Sequence, residues 1–121
     1  MAGSTKVGTA FIPVSDPQAS ARWYEGALGL RTKDANPWAA QLEGAVEGAT
    51  ALTLMGPQSG IKARPGLPFA TCNFLVDDLA GTHSRLVDEG HAPSPLDGAD
   101  DVCRFFTVND PDGNLLLIVD R

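Results

Sequence analysis

Strand-forming runs alternate along this chain with stretches whose apolar positions recur at helical spacing. Val7 to Val14 is rich in strand formers and small residues and predicts a strand. Asp16 then offers an N-cap. Pro17 suits the first helical position, because its missing N–H would be unpaired there in any case. Trp23, Tyr24, Ala27 and Leu28 form an apolar face at helical spacing, and Gly26 and Gly29 are expected to end the helix. Three shorter strand candidates follow, at Leu28–Lys33, Trp38–Leu42 and Ala51–Met55.

The same order then returns. Phe69 to Val76 reads as a strand, and Asp77 or Asp78 caps a second helix. Leu79, His83, Leu86 and Val87 line one face of that helix, and Gly90 stops it. Gly81 inside this helix costs about 1 kcal/mol against alanine. Strand candidates near Ala92–Leu96 and at Val102–Val108 and Leu115–Val119 complete the second set. Val14-Ser15-Asp16 and Val76-Asp77-Asp78 stand 62 positions apart, and so do Thr9 and Thr71. A repeat of this size, with matching element order, points to a duplicated supersecondary unit. Gly56 to Pro68 joins the halves, with loop signals at Gly56-Pro57, Ser59-Gly60 and Pro65-Gly66.

Two features of the pattern resemble the vicinal oxygen chelate superfamily. One is the pair of strand–Val-x-Asp–helix starts. The other is Asp110-Pro111-Asp112-Gly113-Asn114 before a last strand. This group includes glyoxalase I, extradiol dioxygenases, fosfomycin-resistance enzymes and bleomycin-resistance binding proteins. The likeness runs from about Val7 to Val119. It implies an α+β fold of tandem βαβββ modules, each curling a mixed sheet around a cavity. One domain of residues 1–121 is expected, with a first module at about 7–56, a linker at about 57–67 and a second module at about 68–119.

The resemblance also implies where metal ligands would stand, on the first and fourth strands of each module. Those positions hold Thr9 and Thr53 in the first half and Thr71 and Leu117 in the second. A divalent cation in such enzymes wants imidazole or carboxylate ligands. A threonine hydroxyl is a poor substitute, and leucine has no lone pair. Shifting the register by one adds only Cys72 as a possible ligand. The expectation is therefore no metal and no cofactor. The inward faces would form a mostly apolar small-molecule pocket from Thr9, Phe11, Trp38, Thr53, Thr71, Asn73, Phe106 and Leu117, with either Phe105 or Phe106 facing it. By resemblance this fits a binding protein of the bleomycin-resistance type, which sequesters an antibiotic without a reaction and pairs as a homodimer. The alternative is a lyase or dioxygenase, metal-dependent or metal-free. A partner-binding module with a collapsed cavity is a further rival.

Composition narrows the partners. The 121 residues carry a formal charge of −6. No basic stripe is visible, which argues against nucleic acid. An acidic surface suits a cationic small molecule and also serves plain solubility. No apolar run reaches the roughly 20 residues of a membrane span. Residues 1–8 lack a charged region followed by an apolar one, so no secretion signal is expected. Cys72 and Cys103 have no zinc spacing and read as thiols of a reducing cytoplasm, with Cys72 packed under a helix.

Other chemistry finds little support. His83 reads as a core-edge histidine and His91 as a surface one. No Gly-x-Ser-x-Gly elbow is present. Gly44, Gly48 and Gly56 do not make a phosphate loop. The pairs Asp77/Asp78, Asp88/Glu89 and Asp100/Asp101 read as a helix cap, a helix end and a loop. Asp110 and Asp112 read as a hairpin turn, with Gly113 supplying its positive φ.

Overall fold

A computed structural model describes residues 4–44 and 50–121, and the chain divides into two compact units, Met1–Arg64 and Pro65–Arg121. The first contains strand β1 (Thr9–Pro13), helix α1 (Pro17–Leu28), and strands β2 (Arg31–Ala35), β3 (Ala39–Glu43) and β4 (Ala51–Met55). The second contains β5 (Asn73–Leu75), α2 (Leu79–Asp88), β6 (Asp97–Ala99), β7 (Cys103–Asn109) and β8 (Leu115–Val119). The two sheets have the orders β1-β4-β3-β2 and β5-β8-β7-β6. In each, the first strand pairs in parallel with the last and the other pairings are antiparallel. This is the predicted βαβββ arrangement, built twice. The sheets are mixed and not closed.

Helix α1 begins where the sequence places it. The Asp16 carboxylate accepts from the N–H groups of Gln18 and Ala19 at 3.1 and 3.2 Å, and Pro17 occupies the first turn. The helix runs through Gly26 and ends at Gly29, whose φ of 69° is left-handed and whose N–H reaches Glu25 O. Gly26 is therefore an interior helical residue and not a stop, and β2 starts later than Leu28. The buried side of α1, Pro17, Ser20, Ala21, Tyr24 and Ala27, covers the sheet. Ile12, Leu52, Leu54, Ala40 and Leu42 form the sheet side of that core.

In the second unit Asp78, not Asp77, caps α2 by accepting from Gly81 N at 3.0 Å. Leu79 and Leu86 are buried on the helix, and Phe106, Val108, Leu116 and Ile118 on the sheet. Val87 is half exposed, so the apolar stripe is narrower than its spacing implies. Residues 92–96 do not form a strand; β6 is the short Asp97–Ala99 that follows. Ser94 still pairs with Thr107, its N–H donating to Thr107 O at 2.8 Å and its hydroxyl accepting from Thr107 N at 2.7 Å. Two prolines, Pro93 and Pro95, flank Ser94 and remove the donors a longer strand would need.

The Asp110–Asn114 string is a hydrogen-bonded latch. Asp110 Oδ1 accepts from the N–H groups of Asp112 and Asn114, each at 2.9 Å, and its Oδ2 accepts from Asn114 Nδ2 at 2.9 Å. Asn114 Oδ1 in turn accepts from Gly66 N and Leu67 N at 2.9 and 2.8 Å. Gly113 has a φ of 82°. Leu115 N donates to Leu67 O, so the latch ties residues 66–67 to the start of β8.

Candidate functional site

In each sheet, alternation separates a helix-facing side from an open side. In the first unit Ala40, Leu42, Leu52 and Leu54 face α1, so Gln41 and Thr53, which stand between them, face away. Register partners share a face. Phe11 pairs with Thr53, Thr53 with Gln41, and Gln41 with Asp34. One row therefore crosses all four strands on the open side: Phe11, Thr53, Gln41, Asp34. Thr9 lies on the same side of β1. Its Oγ1 is 3.0 Å from Ala51 O and 2.8 Å from Thr53 Oγ1. The sequence brings Thr9, Phe11 and Thr53 together as expected. The alternation Ala40-Gln41-Leu42 carries the sequence signal for Gln41, whereas Asp34 joins the row only through the bulge in β2.

Trp38 lies in the bend before β3 instead of in the strand. Asn36 Oδ1 organises this bend, accepting from Trp38 N at 2.9 Å and Ala39 N at 3.0 Å. Trp38 O accepts from Gly56 N at 2.8 Å. A Cβ at Gly56 would come within 2.7–3.2 Å of Pro17 and Pro37 O, so close packing selects glycine there. The Trp38 side chain is 54% exposed.

In the second unit Asn73 pairs with Leu117, and Leu117 with Thr107. These three share the open side. Phe105 joins them there, because Phe106 faces the helix. Phe106 is fully buried, and its ring meets the edge of His83 at 5.0 Å. Contrary to expectation, Phe106 therefore does not face a ligand: period-2 alternation places Leu116, Ile118 and Phe106 on the helix side and half-buried Phe105 on the open side. Thr71 is exposed in a bend two residues before β5, outside the strand expected to carry it.

His83 Nε2 lies 2.8 Å from Ser94 O, which can only accept, so Nε2 carries a proton and donates it. This joins α2 to the 94–107 pairing and confirms His83 as a core-edge residue. His91 Nε2 lies 3.5 Å from Glu89 Oε1. Burial pushes the Cys72 thiol above its ordinary pKa, because the charged thiolate is poorly solvated there. Among the described residues, no three His, Cys, Asp or Glu side chains are grouped to hold a metal ion. Thr9 and Thr53 in the first unit offer only neutral hydroxyls, and in the second Thr71 offers a hydroxyl and Leu117 no lone pair, so neither pair fits the ligand preference of a divalent cation. Among the described residues no helix is long and apolar enough to cross a membrane. Gly48 and residues 1–3 lie outside the described residues.

Comparison with known proteins supports the same family. Residues 6–118 match the model of the glyoxalase/bleomycin resistance protein/dioxygenase superfamily. Among curated proteins no sequence matches the chain. Solved structures with the same fold include an antibiotic binding protein, TnmS3, from Streptomyces sp. CB03234 (TM-score 0.80, 22% identity, 98% of this chain and 97% of that one). A superfamily member from Sphaerobacter thermophilus aligns with a TM-score of 0.79 at 21% identity over 96% of this chain and 97% of that one. A bleomycin resistance determinant encoded on the transposon Tn5 aligns at 0.71 and 21% identity over 97% and 98%. With a family match spanning nearly its whole length and the βαβββ order built twice, the chain belongs to the glyoxalase/bleomycin resistance protein/dioxygenase superfamily.

Proposed function

We propose that this protein binds a small organic molecule without a metal and holds it without transforming it, in the manner of an antibiotic-sequestering protein. The observation that carries the reading is the set of side chains at the superfamily's ligand positions. Thr9 and Thr53 are hydrogen-bonded to each other, and Leu117 has no lone pair to offer. A threonine pair satisfied in this way is suited to a neutral ligand contact and poorly suited to a divalent cation. The open face of the first unit adds Phe11 and Gln41, and that of the second adds Phe105, Asn73 and Thr107, so each mixes apolar surface with a few orienting polar groups. Two proteins of the same fold, an antibiotic binding protein and a bleomycin resistance determinant, support this reading. The reading extends to a homodimer of the full chain, which sedimentation checks.

The test is equilibrium dialysis of the full chain, in the presence of a chelator, against a panel of antibiotics that includes bleomycin. At least one compound is retained and recovered chemically unchanged. Recovery of a product in place of the compound, growing with time, contradicts the reading and points to an enzyme.

A further inference from the structure

The open row of the first sheet has a direction. A hydroxyl carries one proton. Thr9 Oγ1 lies 3.0 Å from Ala51 O and 3.3 Å from Ala10 O, and since both can only accept, a carbonyl takes the Thr9 proton. The 2.8 Å contact between the two threonines then uses the Thr53 proton. What Thr53 has left for a ligand is lone pairs. Asp34, at the far end of the row, is an exposed carboxylate without an ion pair among the described residues, and it too only accepts. Gln41 between them has an acceptor as well as donors. At the other end the Phe11 ring is 52% exposed.

Two cations stand nearby in β2. Arg31 lies on the same face but is 3.6 Å from Glu43, its register partner. Lys33 stands at the bulge between Thr32 and Asp34 and is the one cation adjacent in β2 with no such partner among the described residues. The chain as a whole carries −6. The matching row of the second sheet is Asn73, Leu117 and Thr107, and the carboxylate on that side, Asp97, pairs with Phe105 outside the row. At about 4.8 Å per strand, the row from Phe11 to Asp34 spans roughly 14 Å.

We infer that this row selects an elongated organic cation, with an apolar or aromatic end over Phe11 and an amine or guanidinium donating to Asp34. The inference rests on the small-molecule binding reading above and specifies its ligand class. Acceptors at Thr53 and Gln41 suit further N–H or O–H groups along such a molecule. A carboxylate at the same end would meet Asp34 and be repelled.

Three fluorescent probes test it: a dansyl group joined by a five-carbon chain to a primary amine, its N-acetyl derivative, and the analogue ending in a carboxylate. With the full chain at low salt, the amine binds at least about threefold more tightly than the acetylated probe, the range an exposed charge contact supplies, and the carboxylate binds most weakly. Asp34→Asn removes the preference. Asp88→Asn, which makes the same charge change at the exposed end of α2, leaves it intact. Equal binding of the three probes, or equal loss of preference in both variants, overturns this inference while leaving small-molecule binding standing. Failure of all three probes to bind, together with retention of no compound in the dialysis panel, overturns both.

Discussion

At the scale of single residues, most of the specificity of this fold lies in a few polar side chains that complete backbone hydrogen bonds. Asn114 is the clearest case. It is 1% exposed, accepts from two N–H groups of the 66–67 segment and donates to Asp110. Asn114→Ala strands those partners together and costs about 2–3 kcal/mol, read as a lower midpoint in urea unfolding. Cys72 supplies a second check. Burial raises its pKa, so the reactive thiolate forms only at higher pH than for an ordinary thiol near 8.5. In a Cys103→Ser background, the rate of iodoacetamide labelling reaches half its plateau above that pH; a midpoint at or below it contradicts the burial of this side chain. The Asp-Pro-Asp-Gly-Asn turn was legible from its residue types, because Gly113 and the flanking apolar run declare a turn and a strand. That Asn114 reaches back 48 positions to Gly66 was not, since such a bond depends on where folding carries the chain.

At the scale of elements, helix caps and strand alternation carry the explanation. Two helical glycines look alike in sequence and differ in surroundings. A Cβ at Gly26 in α1 meets nothing within 4 Å, so Gly26→Ala raises stability by about 1 kcal/mol through helix propensity. A Cβ at Gly81 would collide with the Asp78 carboxylate that caps α2. Gly81→Ala therefore gains propensity and loses a cap of similar worth, and leaves stability nearly unchanged. Paired thermal melts separate the two cases; equal stabilisation of both variants contradicts the role given to Asp78. Long periodic elements were legible: both helices, β4 and β8 fall where the pattern puts them. The misplacements share one cause. Gly26 is tolerated inside a helix that packs well, Pro93 and Pro95 displace β6, and β5 is shorter than its apolar run, because hydrogen-bond availability sets strand ends and composition does not. The face of Phe106 followed from alternation once the register with Ile118 was known.

At the scale of the whole molecule, the duplicated βαβββ plan places equivalent strands in both units but has filled them differently. The first sheet presents a hydroxyl pair, an amide, a carboxylate and a ring in one row; the second presents leucine, an amide and a hydroxyl in the matching row, with its ring and carboxylate, Phe105 and Asp97, paired outside it. Family membership was legible in the order of motifs. The polarity of the first row was not, because it depends on the β1–β4 pairing that sets the Thr9 hydroxyl against backbone carbonyls and Thr53. The central claim is that the fold holds a small molecule with these side chains and no metal. The most direct measurement is the metal content of the full chain, purified without chelators from cells supplied with manganese, iron, nickel and zinc. The account predicts far less than one divalent ion per chain; one tightly held ion per chain would contradict it.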